Sequence, residues 1–407
     1  MNKEFYQKYA KLAVKYGINL QAGQDVMIVA STKADEFALA IAEEAYLSGA
    51  KSVSIEWVND LATRLKYQYE STEVLGEVLT WQEEKAKHQA NTLPCKIYIS
   101  DEDPDAFAGL DAAKMSEVRK LRSKVLKKYR DMAENKDQWT IIAIPSPAWA
   151  KKVFPNLDEE AGVKALWEAI IHSARLDGDV EANWDQHVAY LDEKASKMNA
   201  LNLDYLTYKS SNGTDLTLKL QPNHLWLSAK EENLSGISFI ANMPTEEVFT
   251  MPKRDGVNGI VYSTKPLSLQ GQIVEDFSVT FENGKAIKVT AKKGLDVLES
   301  MLNMDESSRY LGEVALVPFN SPINETGLLF SNTLFDENAC CHLAFGMAFK
   351  NNIKGYETMT DEDFKAVDFN DSMNHVDFMI GSKDLEIIGY DFEGNAHQIF
   401  KDGIWVL

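Results

Sequence analysis

"DVMIVASTKADEFALAIAEEAYLSGAKSVSIEW", residues 25–57, sets two short apolar runs on either side of a stretch with helical spacing. Residues 25–31 read as a buried strand, 34–49 as a helix and 52–57 as a second strand. That order makes a βαβ unit, which implies parallel strands joined by a right-handed crossover. A helix ending near Gly17 precedes it, and "CKIYIS" (95–100) and "WTIIAIP" (139–145) supply further strands, with helical segments such as 111–134 between them. The loop "VASTKADE" after the first strand has neither the glycine spacing of a dinucleotide-binding turn nor that of a P-loop. The expected fold of residues 1–190 is therefore α/β with a parallel sheet, Rossmann-like in topology but without a nucleotide.

The texture changes after about residue 190. "LTYKSSNGTDLTLKL" (206–220) alternates around Asn212-Gly213, a strong hairpin signal, and a second Asn-Gly turn at 283–284 lies within the strand-rich run 259–291. One helix is expected through "KGLDVLESMLNM". Residues 191–407 are thus expected to form an α+β domain rich in antiparallel strands.

Composition narrows the function. A formal net charge of −20 repels phosphate backbones and argues against nucleic-acid binding. No run approaches the ~20 apolar residues of a membrane helix, and the opening stretch lacks the apolar segment of a secretory leader. Three cysteines, Cys95, Cys340 and Cys341, make no disulfide framework, so a reducing, cytoplasmic setting is expected.

The chemistry-bearing residues fall in the second domain. "NHVDFMIGS" (374–382) puts His375 and Asp377 two apart on a strand, hence on one face. "FDENACCHLAFGMAF" (335–349) reads as a helix opened by Glu337 and His342, with Cys341 better read as a small buried apolar residue than as a ligand. "GEVALVP" (312–318) starts with Glu313 near the head of a strand, and "NMPTEEVFTMP" (242–252) carries Glu246 and Glu247 between prolines. Each acid alone is ordinary. Together Glu247, Glu313, Glu337, His342, His375 and Asp377 make a hard oxygen-rich set with two imidazoles, suited to Zn²⁺, Co²⁺ or Mn²⁺. Six donors exceed the needs of one tetrahedral ion and fit two divalent ions sharing a carboxylate.

These segments, in this order and spacing, together with "YAKLAVKYGINLQAGQDVMIVAS", resemble the aminopeptidase T / aminopeptidase S family of dinuclear metallo-aminopeptidases over essentially the whole chain. The resemblance implies that Glu247, Glu313, His342, His375 and Asp377 bind metal, with Glu337 beside them. It further implies homodimers that enclose the active sites, and peptide substrates with a free N-terminus, cleaved through a metal-activated water. Glu313 is expected to act as the proton acceptor. One departure stands out: where the family carries a catalytic tyrosine, seven residues after His342, this chain has Phe349, which cannot donate a hydrogen bond. The alternatives are a dinuclear metallohydrolase for a non-peptide substrate and an inactive metal-binding homologue.

Overall fold

The computed structural model describes residues 3–269 and 272–407. Gln270 and Gly271, inside the strand-rich run expected at 259–291, lie outside the described residues. The chain divides into two compact units, residues 1–186 with 230–245 and residues 187–229 with 246–407. A single cut at 190/191 does not express the return of segment 230–245 to the first unit.

The first unit is built on a four-stranded parallel sheet in the order β2-β1-β3-β4, with β1 Asp25–Ser31, β2 Ser52–Val58, β3 Cys95–Ser100 and β4 Trp139–Ala143. Helices α1 (Lys3–Leu12) and α2 (Asp35–Leu47) bury Tyr9, Leu12, Phe37 and Ile41. Burying such side chains contributes roughly 1.5–3 kcal/mol apiece. Segment 230–245 lies along β4, where Ile141 N–H donates to Ala241 O (2.8 Å) and Met243 N–H to Ile141 O (3.0 Å). Helix α3 (Asp60–Tyr69) buries none of its residues, and Leu61, Leu65 and Tyr69, spaced four apart on one face, are exposed.

The second unit contains an eight-stranded antiparallel sheet. The two Asn-Gly hairpins fall where expected: Gly213 has φ +102°, and Asn283 and Gly284 have φ +48° and +79°, the left-handed values such turns need. The predicted helix in this domain is present as Leu295–Leu302.

Beside it stands a four-stranded antiparallel sheet in the order β8-β7-β6-β5, with β5 Val248–Thr250, β6 Leu311–Leu316, β7 His342–Gly346 and β8 His375–Met379. One of its faces packs into the main core through Val248, Val314, Leu316, Leu343, Phe345 and Phe378.

Here the sequence reading needs correction. Residues 335–349 are not a helix. Thr333–Asp336 makes one helical turn, Glu337–Ala339 a 3₁₀ turn, and Cys340 is extended and leads into β7. Every residue of β7 is buried, so the segment shows no alternation of buried and exposed residues. Hydrophobic periodicity cannot separate such a strand from a short buried helix.

Candidate metal centre

Strand register places the candidate ligands. Ala344 of β7 lies opposite Glu313 on β6 and Asp377 on β8, while His342 lies opposite Ala315 and Met379, and Gly346 opposite His375. Side chains alternate, so Glu313, His342, His375 and Asp377 all project from the face away from the core. Phe249 pairs with Ala315, which puts Glu247, two residues before it, on the same side. Between them stand Ala315, Ala344 and Gly346, the shortest side chains available, which leave room above the sheet.

Glu313 reaches this face only because β6 is bulged. Leu311 pairs with Phe345 and Glu313 with the very next residue, Ala344, so Gly312 is an extra residue in the ladder. Without that bulge, Leu311 and Glu313 would share a face. With it, Leu311 enters the core and Glu313 enters the site. A Cβ at position 312 would sit 2.2 Å from Met347 O and 2.3 Å from Gly346 O, so the bulge requires glycine.

Two donor groups result. Donor atoms of Glu247, Glu313 and His342 lie within 4.8 Å of one another, as do those of Glu313, His375 and Asp377. His342 Nε2 is 3.1 Å from Glu247 Oε2 and 3.6 Å from Glu313 Oε1. His375 Nε2 is 3.4 Å from Glu313 Oε2 and 3.2 Å from Asp377 Oδ1. Glu313 is common to both. Each imidazole is oriented from behind: His375 Nδ1–H donates to Met347 O (2.8 Å) and His342 Nδ1–H to Cys340 O (3.3 Å), which turns both Nε2 atoms to the carboxylates.

Glu337 stands outside both groups, on the 3₁₀ turn before β7. A small cavity of about 10 Å³ is lined by Glu337, Asp377, Thr333, Ser268, Leu267 and Met379. Glu246 faces away from the two groups, with its Oε2 3.8 Å from His187 Nε2. Cys341 Sγ–H donates to Val317 O (3.3 Å), and burial pushes its thiol up to about 12, as befits an inert core residue. Phe349 sets its ring 4.9 Å from that of His375 and 6.2 Å from that of Phe249.

The electrostatics follow from crowding. Burial raises the Glu247 pKa, helped by the charge of Glu313, and burial with the charges of Asp377 and Glu247 lifts Glu337 well above the carboxylate range. Burial opposes the charged forms of His342 and His375, yet their carboxylate partners outweigh it and hold both well above 6.5. Burial also opposes ionisation of Glu313 and Asp377, but the imidazoles hold both below the usual range.

Among the described residues no Lys or Arg ion-pairs with any of the six. Four carboxylates against two imidazoles cannot all ionise in so buried a place unless cations neutralise them, and the raised Glu247 and Glu337 reflect that cost. The donor set and the short alanines beneath it therefore fit divalent cations.

A sheet face carrying two such donor groups could hold the metal of a metal-dependent hydrolase. Residues 2–405 match the thermophilic metalloprotease (M29) family, and the chain belongs to that family of enzymes, which hydrolyse peptide bonds. It is 43% identical to aminopeptidase AmpS of Bacillus subtilis (strain 168), over 98% of this chain and 97% of that protein. It is 37% identical to aminopeptidase T of Thermus thermophilus, over 100% of this chain and 99% of the other. The structure of wild-type AmpT from Thermus thermophilus matches with a TM-score of 0.90 at 37% identity, covering all of both chains.

Sequence reasoning did not find Gly312, whose role is visible only in strand register, or Asn338, a buried amide beside Glu337.

Proposed function

We propose that this chain is an aminopeptidase working with a pair of divalent cations, Zn²⁺, Co²⁺ or Mn²⁺, held in its second unit. Glu247, Glu313 and His342 would hold one cation, Glu313, His375 and Asp377 the other, and Glu337 would complete the set. The observation that carries this reading is the sharing of Glu313 by both donor groups. When bound, the cations would polarise the scissile carbonyl, activate a water and favour a free α-amine.

The chain's own groups then have defined tasks. Glu313, whose two oxygens face the two donor groups, is placed to accept a proton at a carboxylate oxygen and return it to the leaving amine. His342 and His375 keep fixed orientations through their Nδ1 bonds.

A homodimer belongs to the same proposal, supported by the family resemblance and by the exposed Leu61, Leu65 and Tyr69 stripe, which a second copy would cover. A cytoplasmic setting also belongs to it, supported by three buried free cysteines. The deciding experiment is hydrolysis of a panel of aminoacyl-anilides. It is expected to stop on chelation, to return with Co²⁺ or Zn²⁺, and to require a free amine, so equal cleavage of N-acetylated substrates would overturn the aminopeptidase reading.

A further inference from the structure

Asn338 is fully buried, on the 3₁₀ turn Glu337–Ala339. Its three polar bonds fix its orientation. Glu246 N–H donates to Asn338 Oδ1 at 2.7 Å, so the oxygen must face that donor. The amide nitrogen then donates to Leu334 O (3.1 Å) and to Glu337 Oε1 (3.3 Å). One side chain thus ties the segment that delivers Glu247 to the turn that delivers Glu337, two stretches 92 residues apart at the Glu246–Asn338 bond.

This tie has work to do. The turn under Glu337 is three residues long and follows a helix of four, too short to hold a side chain by its own hydrogen bonds. Glu337 also lies beside the carboxylates of Asp377 and Glu247. The neutral amide donating to its Oε1 holds the carboxylate in place and adds no charge. It leaves Oε2 as the oxygen free for the centre.

We propose that Asn338 is a positioning residue, which holds the Glu337 carboxylate and the Glu246–Glu247 segment in one frame so that Glu337 can join the cation pair. The assignment rests on the two-cation reading above, and the experiment separates the two. Chelator-stripped wild type, Asn338→Ala, Glu337→Ala and the double variant are titrated with Zn²⁺ and with Mn²⁺ by calorimetry, and thermal midpoints are recorded stripped and loaded. Wild type is expected to bind two ions. Asn338→Ala should weaken one event 10–100-fold, the scale for lost outer-shell partners, and should shrink the rise in Tm on loading. In the Glu337→Ala background the same change should cost clearly less, because only the tie to the Glu246–Glu247 segment remains to be lost.

Wild-type protein that binds no ion overturns the metal reading and this assignment together. Two wild-type sites with both affinities kept in Asn338→Ala, or an equal loss with and without Glu337, overturn the positioning role alone. Should Asn338→Ala not fold, a crystal structure of the Zn²⁺-loaded wild type decides. The role predicts Asn338 Nδ2 within hydrogen-bond reach of Glu337 while Glu337 binds an ion, and an amide turned away from Glu337 contradicts it.

Discussion

His375 Nε2 lies 3.4 Å from Glu313 Oε2, and the other oxygen of that carboxylate lies 3.6 Å from His342 Nε2. One side chain therefore spans both donor groups. Glu313→Gln keeps the size but replaces one acceptor oxygen with a donor, which suits neither group. Aminoacyl-anilide hydrolysis is expected to fall by on the order of 10²–10⁴ with the far-UV circular dichroism unchanged. Turnover near that of the wild type would remove Glu313 from its role.

Gly312 is the hinge of that arrangement. In Gly312→Ala the new Cβ meets Met347 O at 2.2 Å, so β6 must shift or lose its bulge. Overpacking of this kind costs about 1–3 kcal/mol, and the shift moves Glu313 with it. Urea unfolding should read the lost stability, and activity should fall further than stability explains. An unaltered midpoint and rate would mean that the bulge is not needed.

The pH dependence of chelator-stripped protein has a definite sign. Burial disfavours charged His342 and His375, but their carboxylate partners dominate and raise both above 6.5. Their stabilisation is complete below 6.5 and is lost as pH rises through the raised values. The raised Glu247 and Glu337 act in the same sense, whereas the lowered Glu313 and Asp377 contribute stability that is lost as pH falls through their folded values. Cations compete with the protons on the imidazoles, so ion affinity should climb as pH rises above 6.5 through their raised values, with protons released on binding. Calorimetry in buffers of different ionisation enthalpy measures that release. Affinity independent of pH, with no protons released, would show the imidazoles already neutral.

Much of this was legible in the sequence, for physical reasons. The two-residue spacing of His375 and Asp377 holds because β8 is a regular strand, where alternation is strict. The parallel sheet was readable because its strands are short, apolar and separated by a helix. His342 is visible as a candidate, but its segment reads as a helix because a strand buried on both faces offers no alternation. The placement of Glu313 was hidden for a different reason: a bulge changes the parity of a strand, and only pairing with Ala344 reveals it. The return of residues 230–245 to β4 is a long-range contact that no local pattern encodes.

Phe349 stands 4.9 Å from the His375 ring and is 36% exposed, at the rim of the site. Phe349→Tyr adds a hydroxyl at the ring's far end without new bulk beneath it. If a donor at this position aids the reaction, kcat should rise by about tenfold or more, within the range for a single hydrogen-bond donor to a developing charge. An unchanged kcat would show that the chain supplies that donor elsewhere or has no need of it.

The central claim is that one sheet face holds two cations through a shared Glu313. Anomalous diffraction from crystals of the wild-type protein soaked in Zn²⁺, collected at the zinc edge, tests it most directly. The account predicts two peaks per chain, one among Glu247, Glu313 and His342 and one among Glu313, His375 and Asp377. A single peak, or two peaks that do not share Glu313, would contradict it.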